Sequence, residues 1–455
     1  MRIKLDIPLL YDEISNLLNL EKQEEREHRT ITHICTDSRI CQSGDLFFSL
    51  AKNKEDALLH IAEARKAECY IAAEDWIYSN EAFSPQKSLL KLAAFYKKKL
   101  PHLKTTVAIT GSIGKTTTKE LLKALLSEKF TVHSTPGNFN NDLGMPITVL
   151  SAPANTEILI LEFGMNHRGE ILELTTCINP NIAIITCITS AHIGNLGTRA
   201  DIARAKLEIC ESKCDELITI VPYEEPLLIT ARNRKTVSLT DPKANFFLFP
   251  LDIKKDGSIF DFYSESSVLI AKKIFVPGKH ILSNTAFALA VASILKLSKT
   301  EIENGLESFS EIAFRQGLKT IGRFRIFDDT YSSSPEAASS MLKLLSLYEP
   351  RNKSALLGDM LELGDYSYNA HYNLGKEVFQ CGFRKLYTYG NYSKLIANGA
   401  IDAGMPREKI FINEDKNAPE ISARQIANSY EDELILFKAS HGMNAERIYG
   451  HLKNF

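Results

Sequence analysis

AITGSIGKTTTKE, residues 108–120, sets a Gly-x-x-Gly-Lys-Thr turn between two differently patterned flanks. Upstream, Thr105 to Thr110 (TTVAIT) is rich in β-branched residues and reads as a strand. Downstream, KTTTKELLKALLSEKF brings Leu121, Leu122, Leu125 and Leu126 to helical spacing. A strand passing through a glycine turn into a helix N-terminus aims backbone N–H groups and the positive end of the helix dipole at an anion. The common phosphate loop has two glycines separated by four residues, then Lys and Ser or Thr. Here Ile109 occupies the first of those positions and a glycine stands at Gly111, so the match is partial. On this reading Gly111, Ser112, Ile113, Gly114 and Thr117 line a nucleotide site. Lys115 reaches the terminal phosphates, and Thr116 ligates Mg²⁺.

Outward from the loop, β-rich runs alternate with helical patterns: TTVAIT, then EILILEF, then NIAIITCI. That alternation argues an α/β fold with a parallel sheet and helices on both faces. A helix-rich stretch, SNTAFALAVASILKL followed by KTEIENGLESF, closes the unit. A third β/α block runs from GRFRIFDDTY onward, with KSALLGD, KLYTYG, KIFIN and ELILFKAS as short strands. The first hundred residues are mixed, with ICTDSRICQSGDLFFSL in the middle and a helical stretch near IAEARKA. Pro101-His102 marks a boundary. A chain of 455 residues exceeds what one hydrophobic core usually supports, so two or three domains are expected.

With 44% hydrophobic and 24% charged residues and a formal net charge of -2, the composition is that of a soluble globular protein. No long basic block suggests a nucleic-acid partner. Acidic residues interrupt the apolar stretch of MRIKLDIPLLYDEISNLLNL, and eighteen consecutive apolar residues occur nowhere. A cytoplasmic protein, neither exported nor membrane-spanning, is expected. The eight cysteines form no CxxC pair and read as free, buried thiols.

Open parallel sheets place ligands beyond the carboxyl ends of their strands. EILILEFG delivers Glu162 to such an end, and NIAIITCITSAH delivers His192. Either alone reads equally well as a solvated strand end or an ordinary loop histidine. Together with Thr116 they make a set of oxygen and imidazole ligands for Mg²⁺ bridging phosphates. Asn138, Asn140 and Asn141 form either a turn, the commoner role of Asn clusters, or an amide-lined pocket. Lys206 on a helical stretch reads as a surface lysine. Arg323, with Asp328 and Asp329 beyond it, offers a guanidinium and carboxylates that could clamp a nucleotide across a cleft or simply pair at the surface.

Taken together, these segments resemble the Mur ligases, ATP-dependent enzymes that add amino acids to the peptidoglycan precursor. The resemblance spans nearly the whole chain: TDSR with GDLFF (36–48), TGSIGKTTTKE (110–120), GNFNNDLGMP (137–146), EFGMNHRGEI (162–171) and AHIGNLGT (191–198). It continues through AKLEI (205–209), PGKHILSN (277–284), DDTYSSSP (328–335) and LGDMLELG (357–364). GNFNN with LGDMLELG points to the dipeptide-adding branch, whose substrates are UDP-N-acetylmuramoyl-tripeptide and D-alanyl-D-alanine.

The resemblance implies three domains: a small α/β domain over 1–103 that holds the UDP-precursor, a central P-loop-type ATP-binding domain over 104–314, and a C-terminal Rossmann-like domain over 315–455 that closes on both. It puts Gly111 in the family's register, so Ile109 is no defect. By the same implication Lys115 stabilises the transferred phosphoryl group, Thr116 and Glu162 hold one Mg²⁺, and His192 holds a second. Lys206 matches the lysine that the family carbamylates, which would make it a further metal ligand. Asn284 matches an adenine-contacting asparagine; Arg323 and Asp329 complete the nucleotide site. Thr36, Asp37, Ser38 and Arg39, with Asn138, Asn140 and Asn141, fall to the substrates. The chain departs from the family pattern at Ile281, Ser332, Ser334, Ala439 and His441. A monomer is expected. The alternatives are another amide ligase of the superfamily, folylpolyglutamate-synthase-like or single-amino-acid-adding, and, on the loop alone, a P-loop phosphotransferase or a nucleotide-gated regulator.

Overall fold

The computed structural model describes the chain apart from residues 21–28, 52, 73–84, 192, 255, 331–332 and 348–352, and for 310–316 it describes the backbone alone. His192 and Ser332 thus lie outside the described residues. The described strands make three sheets. The first holds β1 (Arg2–Leu10), β2 (Thr30–Cys35), β3 (Leu46–Phe48) and β4 (Tyr70–Ala72) in that order, antiparallel at β1/β2 and parallel thereafter.

The central sheet holds β5 (Thr105–Thr110), β6 (Val132–Ser134), β7 (Ile158–Glu162), β8 (Ile182–Ile185), β9 (Ile218–Pro222), β10 (Arg234–Ser238), β11 (Phe246–Lys254), β12 (Gly257–Ser264) and β13 (Val268–Ile274). Their order is β13-β12-β11-β10-β9-β8-β5-β7-β6. Every pair from β6 to β11 is parallel, as the sequence reading expects. The antiparallel ribbon β11-β12-β13 on its edge was not legible as strands. Its alternation is partly exposed and its apolar positions are largely aromatic, which blurs the period.

Helices α1 (Pro85–Lys99), α2 (Lys115–Leu126), α3 (Gly144–Leu150), α4 (Ile193–Leu196), α5 (Arg199–Leu207), α6 (Lys279–Ile294) and α7 (Pro335–Ser346) frame the sheets. β7 and β8 are buried at every position, as strands covered on both faces must be. Within β5, Val107 and Ile109 enter one apolar core with α2 and α6, and Ala108 enters the opposite core. That second core does not stop at the central sheet. It runs on through α1 to Ile3, Leu5 and Leu9 of the first sheet. Tyr96 of α1 ties the two sheets by accepting from the Ile7 N–H (3.2 Å) and donating to the Ala152 carbonyl (3.0 Å). Lys97 donates to the Ile178 carbonyl at 2.6 Å, and its burial brings the amine down to about 8.

The third sheet holds β14 (Leu318–Ile321), β15 (Phe324–Asp329), β16 (Lys353–Gly358), β17 (Lys385–Tyr389), β18 (Ile410–Asn413) and β19 (Leu434–Lys438) in the order β14-β15-β19-β16-β17-β18. Only the β14/β15 pair is antiparallel. Two apolar cores of its own cover its faces.

Behind the loop that follows β16, the buried His371 accepts from the Met360 N–H (2.8 Å) and sets its other ring nitrogen against the Ser367 carbonyl (2.6 Å). A backbone N–H can only donate, so this ring must stay neutral to accept. Burial accordingly lowers its pKa, outweighing the opposing pull of the Ser367 carbonyl and Asp359. The unfolded chain then binds more protons than the folded one, so stability rises with pH. The melting temperature should fall as pH drops from about 7.5 to about 5.5, across the ordinary imidazole value of about 6.5. In His371→Gln that fall should be shallower; an identical pH profile in the two proteins would contradict the assignment.

Candidate active site

β5 lies between β7 and β8, so the chain leaves it in opposite directions at this point of the sheet, the position where open α/β sheets open a crevice. The glycine turn after β5 fills that crevice. Gly111 has φ +146°, and a Cβ there would sit 1.9 Å from the Thr186 hydroxyl. Gly114, at φ +87°, precedes α2 so closely against Asn284 that a Cβ would meet its side-chain oxygen at 2.5 Å. Thr186 donates to the Ile113 carbonyl, and Ser112 bonds both ways with the segment after β8. With a glycine as N-cap and no side-chain cap, α2 keeps its first backbone N–H groups open toward the turn. Such backbone geometry suits an anion. Gly111→Ala should cost about 1–3 kcal/mol from backbone strain, besides the clash, and weaken nucleotide binding. Thermal melts and ADP titration would check both.

Lys115 curls over the turn and donates to the Gly111 carbonyl at 2.8 Å. Thr116 donates to one oxygen of Glu162 (2.9 Å), and Asn140 donates to the other (2.9 Å). Glu162 ends β7 and is only 2% exposed. Mg²⁺ takes hard oxygens from one or two protein groups and completes its shell with water and phosphate. A threonine hydroxyl touching a buried carboxylate at the mouth of a phosphate turn fits that ion. Among the described residues no cluster of three or more His, Cys, Asp or Glu is arranged to hold a metal unaided.

Lys206 does not sit at the surface. It faces inward from α5, 2% exposed, and its amine has no hydrogen-bond partner among the described residues. Burial first, and the Lys115 charge second, push its pKa far down, with Cys187 opposing weakly. The Lys206 amine is thus buried close enough to Lys115 for the two ammonium charges to oppose each other. α5 is fixed at its start by a capping box between Thr198 and Asp201.

The remaining candidates scatter. Asn284, on α6 and 8% exposed, accepts from Thr118 and stands over Gly114, so it belongs to the nucleotide turn. Asn141 caps the start of α3 by accepting from Gly144, the turn role of an asparagine, and Asn138 is exposed in the same loop. Arg323 directly precedes β15, at the far end of that strand from Asp329. It donates to the Ala427 carbonyl and stacks near Phe324 and Tyr430. Asp329 pairs with the buried Lys438 at 2.9 Å, and Asp328 with Lys319. In the first sheet region Arg39 grips Asp37 with two nitrogens at 2.8 Å each, and that contact holds the carboxyl well below its ordinary range. Ser38 donates to Glu63, and Thr36 is tied by its backbone to Met1. Ser334 caps α7, Ala439 packs against Gly358, Ile281 is buried in α6, and His441 lies in the turn after β19. All eight cysteines are free, three buried and five partly so.

Sequence reasoning passed over the groups that join the third sheet to this crevice. Glu336 at the start of α7 accepts from the Ser190 hydroxyl (3.0 Å), and the Gly194 N–H of α4 donates to the Glu362 carbonyl (3.0 Å). No pattern in one sequence announces contacts so distant along the chain. Lys119 was also missed, although Lys119, Leu122 and Leu126 share one helical stripe whose other members are apolar, which was a readable signal.

The family model of the Mur ligase middle domain matches residues 109–292, the span that carries the glycine turn, Glu162, Lys206 and Asn284. A curated relative from Bacillus subtilis is 33% identical over 92% of this chain and 93% of its own length. The chain belongs to the Mur ligase family, ATP-dependent enzymes that form carbon–nitrogen bonds. That relative is UDP-N-acetylmuramoyl-tripeptide–D-alanyl-D-alanine ligase. A MurF crystal structure from Acinetobacter baumannii superposes with a TM-score of 0.84 at 24% identity over the whole of both chains, which shows the common fold. The MurF ligase of Thermotoga maritima, solved in complex with ADP, is 27% identical with a TM-score of 0.75 over 92% of this chain and 97% of that one.

Proposed function

We propose that this protein joins D-alanyl-D-alanine to UDP-N-acetylmuramoyl-tripeptide with the hydrolysis of ATP, a step of peptidoglycan synthesis and so of cell-wall growth. What carries the reading is the 33% identity to a ligase of that name over 92% of the chain. In the reaction the tripeptide's terminal carboxylate attacks the γ-phosphate of ATP, giving an acyl phosphate and ADP. The amine of the dipeptide then displaces phosphate and forms the amide. ATP is needed because a carboxylate cannot expel oxide, whereas an acyl phosphate readily expels phosphate.

The chain's own task is positioning and charge neutralisation. The open N–H groups of α2 and the turn from Gly111 to Gly114 would cradle the phosphates, with Thr117 at the helix start, and Lys115 would follow the charge on the transferred group. Thr116 and Glu162 would hold Mg²⁺, which supplies charge neutralisation between phosphate oxygens. His192 and a carbamylated Lys206 would serve a second ion. The carbamate is supported by the surroundings of Lys206: only a neutral amine adds CO₂, and burial, with no hydrogen-bond partner among the described residues, lowers the pKa of this one. Asn284 would meet the adenine end. Arg323 and Asp329 would complete the nucleotide site once the third sheet closes, which requires Arg323 to leave the Ala427 carbonyl. Thr36, Asp37, Ser38 and Arg39 would face the UDP-precursor, and Asn138, Asn140 and Asn141 its peptide.

Division into 1–103, 104–314 and 315–455 is supported by the three sheets, each of which falls within one range. Among the described residues no helix is long and apolar enough to cross a membrane. The protein would act in the cytoplasm, as a monomer, on its nucleotide-linked precursor. The test is ADP release by the purified protein with ATP, Mg²⁺ and the tripeptide precursor, with D-alanyl-D-alanine added or withheld, and mass analysis of the product. A pentapeptide formed only when all are present is the expected result. Amide formation with a single amino acid instead, or ATP turnover without any amide, would overturn it.

A further inference from the structure

We infer that Lys119 is a positioning residue for the Mg²⁺-binding carboxylate, acting from the helix that follows the phosphate turn. The inference rests on the proposed role of Glu162. Lys119 stands one turn along α2 from Lys115 and, unlike it, is wholly buried, with no exposed surface. A buried ammonium is costly unless its donors are met. Here they are met by the Thr135 carbonyl at 2.8 Å, the Gly137 carbonyl at 3.4 Å and the Glu120 carboxylate at 3.0 Å.

Those two carbonyls flank the bend after β6, and both lead to Glu162. Thr135 is bound to β7 twice: its N–H donates to the Ile160 carbonyl (3.0 Å), and its hydroxyl accepts from the N–H of Glu162 itself (3.0 Å). Gly137 opens the loop whose Asn140 donates to a Glu162 oxygen, and the Gly164 N–H donates back to the Asn140 carbonyl at 2.7 Å. Lys119 therefore holds, through backbone, both routes that orient the carboxylate. The other Glu162 oxygen meets Thr116, which rides on the same helix as Lys119. One ammonium thus locks the hydroxyl and the carboxylate into a common frame. Groups that orient metal ligands change metal affinity by roughly 10–100-fold when removed.

The test measures Mn²⁺ binding by electron paramagnetic resonance, with ADP present, for the wild type, Glu162→Gln and Lys119→Met, which keeps the side chain's length and removes its charge. ADP affinity without metal is measured in parallel. Loss of Mn²⁺ binding in Glu162→Gln establishes the carboxylate as a ligand; its retention there would sink the reading of Glu162 and this inference with it. Given that loss, Lys119→Met should bind Mn²⁺ roughly tenfold or more weakly while metal-free ADP affinity stays within twofold. Mn²⁺ affinity within twofold of wild type in the folded variant would overturn the role of Lys119 alone. Should Lys119→Met not fold, Thr135→Val, which removes the hydroxyl beneath Glu162, decides in the same way: a tenfold loss supports the frame and an unchanged affinity overturns it.

Discussion

Lys115→Ala should lower the rate of ADP release by about 10²–10³-fold or more, the loss associated with removing one preorganised donor to a developing charge. The melting temperature should hardly move. In the structure Lys115 is half-buried and its one hydrogen bond among the described residues is to the carbonyl of Gly111, so its removal costs a single contact at the mouth of the turn. A phosphate in the turn would offer the ammonium a far stronger partner than that carbonyl, since charge-assisted bonds are roughly twice as strong as neutral ones. The measurement is a coupled ADP assay at saturating ATP beside a thermal melt. Near-normal turnover in Lys115→Ala would remove the turn from the chemistry; a collapsed melt would give Lys115 a structural role that its exposure does not suggest.

Lys206→Ala should be comparably inactive, with one difference: a small carboxylic acid such as formate or acetate should restore part of the rate. Burial and the nearby Lys115 charge lower the Lys206 pKa and so favour the neutral amine, the form that adds CO₂. Carbamylation would turn that amine into an oxygen anion that binds Mg²⁺. Alanine leaves room at the same place, and a carboxylate from solution can enter it. Dependence of the wild-type rate on dissolved CO₂ would be the companion result. A folded Lys206→Ala protein that binds Mg²⁺ and stays inactive at high formate would count against the carbamate.

How much of this could be read in advance depended on whether the signal was local. The strand, glycine turn and helix over 105–126 were legible because apolar periodicity, β-branched residues and glycine each act within a few residues. Glu162 was legible too, at the end of a fully apolar run. Lys206 was not, since a lysine on a short helix carries no mark of burial; only packing around it buries the amine and lowers its pKa, and the resemblance rather than the pattern singled it out. The asparagine cluster divided in a way that no spacing rule distinguishes, with Asn140 on the Glu162 carboxylate and Asn141 capping a helix. Arg323 shows the opposite limit: read together with Asp328 and Asp329, it stands in the turn before β15, at the end of that strand away from Asp329.

The apolar core that runs unbroken from the first sheet into one face of the central sheet has a mechanical consequence. Among the described residues no apolar cluster crosses to the third sheet, which meets the rest through polar contacts such as Ser190 with Glu336 and Gly194 with Glu362. Two of the three sheets are therefore welded and the third is latched. In the proposed closure, that division of stiffness would give one joint: the nucleotide turn and the Thr36–Arg39 segment would keep a constant separation while the part bearing Asp329 and Lys438 moves.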